Sequence, residues 1–402
     1  MVSENHGKCI FCTADLSPGS EEHVFLSAIG GRLATRRATC KACNNHFATT
    51  AGGKIDDCLA ESFVQLRCGL MIWSGRDQAP PTLQRMGTLP GGIEFDCAPG
   101  FVPIPRRGQP PDFSSMAPGA PQQLVARDVA DAKRILNIAA KRGVDPKILS
   151  AQRVATKVPP IEFRLEFNGN KLWRAVAKSA VVGCCVLYGN EVTRVHADSA
   201  LLDAIKNGTP DIANFAGWDF VNPWPATLAQ KPHEKTPDAV PSGFEHSLLV
   251  TDVGADWVAF VELFGAFRFS VRLGGRTNLP PRGVALNPRA NRPARLEVTI
   301  SAPQNYQRRK TDSHQSEFTI TSSAMGHAFQ KVLSTWHNES TRRYAESMAS
   351  KLAERIEQAN PHDPDAQSKI VAQWAAEVAA LEAGDTWAEQ MDLTLLDDEV
   401  TR

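Results

Sequence analysis

The sequence predicts an α+β protein in which a small metal-stapled module opens the chain and a larger domain with antiparallel strands and C-terminal helices follows. Three observations carry that prediction. Two CxxC pairs, Cys9/Cys12 and Cys40/Cys43, lie in a stretch dense in Cys, Gly, His and Asn. Strand-like runs around short turns fill residues 246–275. Apolar residues recur at helical spacing in the middle of the chain and at its end. The division expected is a module over 1–60 and an α+β domain over 61–402, since 402 residues exceed the roughly 100–200 of an ordinary domain.

The elements follow in order. Ile55, Leu59, Phe63, Leu66 and Leu70 repeat as a helix does, so a helix leads out of the module. Residues 75–123 are rich in Pro and Gly and read as an irregular loop or a small meander of short strands; a structureless loop of that length is unusual, which argues for some strand content there. Asp128 to Gly143 has an acidic start, a helical apolar period and a closing glycine. Ile161 to Phe167 alternates as a strand, and an Asn-Gly-Asn turn separates it from the apolar helix that runs to Tyr188. HSLLVTDV, WVAFVELFG and FRFSVRLGG read as strands, and LEVTIS, Leu296 to Ser301, adds another. A helical part over 325–385 closes the chain, with helices at Thr341–Ala359 and Asp365–Ala383 around the breaker NPHDP.

Composition excludes some functions. With 44 basic and 44 acidic residues no net field draws the chain onto nucleic acid, so any such contact is local. The N-terminus lacks the basic and apolar regions of a secretory signal. The longest apolar run, Ala175 to Tyr188, is too short to span a bilayer. The expectation is a soluble cytoplasmic protein without a membrane partner, its scattered cysteines being small buried hydrophobes.

Two CxxC knuckles separated by 27 residues have the spacing of a structural zinc site. Each knuckle offers two thiolates to one tetrahedral ion, which makes Cys9, Cys12, Cys40 and Cys43 the expected zinc ligands. Between the knuckles lie Glu22-His23-Val24 and Gly30-Gly31-Arg32, and the second knuckle runs into Asn44-Asn45.

This order of residues, over about Lys8 to Phe47, resembles the zinc-containing HNH endonucleases of the ββα-metal (His-Me finger) superfamily. The resemblance implies a metal-dependent endonuclease acting on DNA phosphodiester bonds. His23 would be the general base, and Glu22 and Asn44 would hold one Mg2+ or Mn2+ ion. The chemistry of the residues agrees. Imidazole titrates near neutrality, carboxylate and amide oxygens are hard ligands, and phosphodiester hydrolysis needs both a base and a cation. Glu21 competes with Glu22 but is not adjacent to the histidine. Two places depart from the family: Thr35 or Arg36 stands where an asparagine often orients the histidine, and the helix after the knuckle offers His46 in place of a histidine one turn beyond Asn44.

Arg32, Arg36, Arg37 and Lys41 form a basic run suited to a phosphate backbone. Asp56 and Asp57 read as support for the exit helix, and Lys178 as part of a packed helix. No second catalytic constellation is legible beyond the module. The rest of the chain leaves open a small-molecule or protein activator and a homo-oligomer, and defence against foreign DNA is how such modules are commonly deployed. The competing reading is a non-catalytic zinc-finger DNA-binding protein in which Glu22 and His23 are structural.

Overall fold

The computed structural model describes residues 7–16, 20–89, 92–108, 110, 112, 124–144, 150–155, 167–219, 224–230, 243–289, 295–301, 314–358, 363–383 and 387–390. In chain order, β1 (Glu22–His23), a 3-10 turn (Ser27–Ile29) and β2 (Ala34–Thr35) precede α1 (Lys41–Ala48), α2 (Ile55–Ser62) and α3 (Val64–Gly69). The meander β3 (Leu83–Thr88), β4 (Glu94–Ala98) and β5 (Val102–Pro105) comes next, then α4 (Val129–Lys141) and β6 (Gln152–Ala155). Helices α5 (Gly169–Tyr188), α6 (Asn190–His196) and α7 (Ser199–Asn207) lead to β7 (Ala216–Trp218), β8 (Ala226–Ala229), β9 (His246–Val253), β10 (Asp256–Leu263), β11 (Phe267–Gly275), β12 (Arg282–Leu286) and β13 (Arg295–Ile300). The chain continues through α8 (His314–Gln358), α9 (Pro364–Glu382) and β14 (Trp387–Gln390).

The expected α+β class holds, with antiparallel sheets and C-terminal helices. The exit helix is divided at Phe63, whose φ of -109 and ψ of 12 depart from helical values. The first of the two closing helices is longer than its periodicity indicated, beginning at His314. The strand expected at 161–167 falls almost wholly outside the described residues. Among the described residues no helix is long and apolar enough to cross a membrane.

Two compact units emerge, one of residues 1–81 with 164–336 and one of 82–163 with 337–402. In the first, a seven-stranded antiparallel sheet runs β7-β11-β10-β9-β12-β13-β8. Its central strands are buried on both faces, and their side chains divide by the two-residue period of a strand. Leu248 and Val250 of β9, with Trp257, Ala259 and Val261 of β10, join the main core, while Leu249, Val258 and Phe260 pack on the opposite side with Trp224 and Val298. Covered on both sides, these strands read as nearly continuous apolar runs.

Helix α5 lies on the main-core side and touches β9, β10, β11, β12, α2, α7 and β1. Gly183 permits this approach, because a Cβ there would sit 1.9 Å from Leu248 Cδ2 and 3.2 Å from Val24 Cγ1. The same apolar core includes Cys9, Phe11, Val24, Cys43 and Phe47 of the module. The module therefore does not rest on its metal staple alone: α5 supplies much of the apolar surface it buries.

In the second unit, β3, β4 and β5 form a meander, and β6 pairs antiparallel with β14. Helix α4 is capped by Asp128, whose side chain accepts from Asp131 N at 2.8 Å. Asp131 in turn accepts from Gly108 N at 2.7 Å.

Candidate active site

The second knuckle is built into a helix start. Cys40 is the N-cap of α1, and its sulfur accepts from Cys43 N at 3.4 Å. The first knuckle is a tight turn closed by Thr13 N donating to Cys9 O, with Thr13 at φ 59. Ile10 N donates to Ala38 O and joins the two. All four sulfurs lie within 4.8 Å of one another, with Cys12 and Cys40 at 3.6 Å. A tetrahedral ion with Zn–S bonds of about 2.3 Å sets its sulfurs roughly 3.8 Å apart, so the donor set and spacing fit zinc. A disulfide does not account for the cluster, since these cysteines are free.

Above the staple, β1 and β2 pair antiparallel with Glu22 opposite Thr35 and His23 opposite Ala34; α1 completes a ββα arrangement. Gly30 and Gly31 close the intervening loop: Gly30 has φ +91, and a Cβ on Gly31 would lie 1.8 Å from Phe25 O. Only glycine fits both positions.

The two glutamates face different ways. Glu22 turns inward and is 6% exposed, whereas Glu21 is half-exposed and lies on the side of His23. His23 Nε2 is 3.9 Å from Glu21 Oε1, and its side chain is 9% exposed. Burial lowers the His23 pKa from its usual value; Glu21 opposes the shift, while the charges of Arg76 and Lys178 add to it. The lowered pKa favours the neutral imidazole, the form that can accept a proton.

Asn44, on α1, donates from Nδ2 to Ser20 Oγ at 2.5 Å and to Glu21 O at 3.2 Å. Both amide hydrogens are thereby directed to the entry of β1, which leaves the hard oxygen Oδ1 as its remaining donor atom. His46 does not join this group of contacts; its Nε2 is 3.1 Å from Lys206 O, at the last turn of α7.

Glu22 belongs to a buried ionic cluster. Its Oε1 is 2.9 Å from Lys178 Nζ, which also donates to both oxygens of Asp56 at 2.8 and 2.9 Å. The Lys178 side chain is 4% exposed and its Nζ lies 4.8 Å from the centre of the Phe47 ring. Burial alone would lower the lysine's pKa, but Asp56 and Glu22 raise it, and the ammonium is retained. Burial raises the pKa of Glu22, opposed by Lys178 and reinforced by Asp56. The cluster counts two carboxylates against one ammonium, and Glu22 Oε2 is buried without a hydrogen-bond partner among the described residues. A buried carboxyl oxygen without a partner, in a cluster of two acids and one ammonium, fits a cation, whose charge would oppose the effect of burial on Glu22.

The basic run splits. Arg32 donates to Asp77 Oδ1 at 2.8 Å, and Arg36 lies 3.6 Å from Glu21 Oε2. Arg37 and Lys41 are exposed, and the Arg37 carbonyl accepts from Asn190 Nδ2 at 2.8 Å.

Sequence reasoning assigned Lys178 to packing and Asp56 to helix support; the structure joins both to Glu22. The available signal was a lysine embedded in the apolar stretch of α5, a residue type almost never fully buried without a partner. Arg76, whose charge reaches His23, carried no such signal.

Residues 9–60 match the family model described as HNH endonuclease, which identifies the N-terminal module and points to nucleic acid as its substrate class. No match was found among curated proteins or among solved structures.

Proposed function

We propose, from an N-terminal module matching the HNH endonuclease family over residues 9–60, that this protein is a metal-dependent endonuclease that hydrolyses DNA phosphodiester bonds. The observation that supports this most is the convergence of β1, β2 and α1 over the cysteine cluster, with Asn44 bound to Ser20 and Glu21 beside His23.

In this reading His23 takes a proton from the attacking water, because burial favours its neutral form. Glu21, 3.9 Å away, stabilises the imidazolium that results. Glu22 through its unpaired Oε2 and Asn44 through Oδ1 would hold one Mg2+ or Mn2+ ion, which when bound neutralises charge on the phosphorane and the leaving oxygen. Lys178 fixes the Glu22 carboxylate from the other side. His46 fastens α1 to α7 through the Lys206 carbonyl, and Arg36, Arg37 and Lys41 meet the phosphate backbone. Use against foreign DNA and a trigger acting through the rest of the chain accompany the family resemblance; no residue here carries either.

The burial of Glu22 against Lys178 favours a second reading, a non-catalytic zinc-stapled DNA binder. One assay separates the two. Protein stripped of loosely bound divalent ions, with zinc retained, is given supercoiled plasmid with and without added Mg2+ or Mn2+. The endonuclease reading expects nicked or linear product only on re-addition; binding without cleavage under every ion supports the second reading.

A further inference from the structure

The segment that follows α3 lies outside the family match yet is fastened to the catalytic hairpin. Gly75 N donates to Ser27 O at 2.8 Å, and a Cβ on Gly75 would stand 1.8 Å from Gly31 O. Arg32 Nη1 reaches across to Asp77 Oδ1 at 2.8 Å. Behind this contact, Ile72 packs so closely that a Cβ on Gly30 would lie 2.7 Å from its Cγ2.

The turn also closes on itself. Ser74 N donates to Gln78 O, while the buried Ser74 hydroxyl accepts from Arg76 N at 3.2 Å and Gln78 N at 3.0 Å. A turn held by this many bonds presents its remaining side chains in fixed positions. Among these are Trp73, 43% exposed, and Arg76, exposed and without an acidic partner among the described residues. Arg32 and Arg36 differ in this respect, being matched with Asp77 and Glu21.

We infer that the turn Trp73–Gln78 is a DNA-contacting clamp beside the cleaved bond: Arg76 binds a phosphate of the strand that His23 addresses, and Trp73 packs on the adjoining sugar and base. A guanidinium pairs with phosphate through two parallel N–H donors. An exposed indole offers a face on which a base stacks irrespective of sequence. A charge-balanced chain needs such local contacts, and the glycines that let the turn lie on the hairpin carry them to the active site. The inference rests on the endonuclease reading for the strand's position, but binding tests it separately.

The test uses full-length protein, wild type and the variants Arg76→Ala, Arg76→Lys and Trp73→Ala, each checked for an unchanged melting temperature. Binding to a fluorescent duplex is measured in Ca2+ at several salt concentrations, and plasmid cleavage in Mg2+. Arg76→Ala should weaken binding and reduce the salt slope by about 0.9, the contribution of one phosphate contact; Arg76→Lys should restore the slope. Trp73→Ala should weaken binding about 5- to 160-fold, the range for one stacked base, with the slope unchanged. Wild-type affinity and slope in both alanine variants overturn the clamp, even if the protein cleaves. A wild type that binds with these losses in the variants but never cleaves overturns the endonuclease reading and leaves the clamp standing as a DNA contact. Absence of any duplex binding by wild type overturns both.

Discussion

Replacing Lys178 with methionine probes the link between the metal-stapled module and the core beneath it. Its ammonium lies 2.8–2.9 Å from oxygens of Asp56 and Glu22, in a pocket where the lysine side chain is only 4% exposed. Methionine keeps most of the volume but leaves two facing carboxylates without their counter-charge. Breaking a buried ion pair in this way costs about 3–5 kcal/mol. For a unit of this size each kcal/mol lowers the melting temperature by roughly 2–4 °C, so the expected fall is about 6–20 °C. The assay is thermal unfolding by circular dichroism at pH 7, with zinc content held equal. The triple variant Lys178→Met, Glu22→Gln, Asp56→Asn should recover much of the loss, because an uncharged cluster carries no unpaired ion. Lowering the pH should shrink the defect of the single variant, since protonating Glu22, whose pKa burial already raises, removes one of the two facing charges. A single variant melting within about 2 °C of wild type would refute the assignment of Lys178 as the counter-charge.

Further predictions follow from the same structure. His246 is fully buried, with Nε2 2.9 Å from Ile29 O and Nδ1 accepting from Phe264 N at 3.1 Å; burial lowers its pKa to about 4. The unfolded chain takes up a proton near pH 6.5 and the folded chain does not, so stability is complete above that pH and lost as pH falls towards 4. The loss amounts to about 3 kcal/mol, and denaturant melts at stepped pH should flatten over that window in His246→Gln. Cys12→Ser should lower the zinc content below one ion per chain by elemental analysis and destabilise the module, as the ion ties the two knuckles together; full zinc retention would contradict the four-sulfur site.

The features legible in the sequence were those with short-range causes. The knuckles were readable because CxxC places two sulfurs on one ion, and β9, β10 and β11 because continuous apolar runs end at turns. The capped α4 carried its own start and stop residues. What escaped depends on contacts distant in the chain. Nothing near Glu22 announces that residue 178 returns beneath it, and the short strand β1 does not say which of Glu21 and Glu22 faces inward. The division of the exit helix at Phe63 was equally hidden, because that residue's place is set by packing against Phe167, Phe264 and Phe267.

The most direct test of the account compares initial cleavage rates of wild type and His23→Ala in Mg2+, on protein matched for zinc content and melting temperature. Loss of a general base predicts a rate lower by about 100-fold or more, with duplex affinity little changed. Equal rates in the two proteins would remove His23 from the chemistry and contradict the active site built around it.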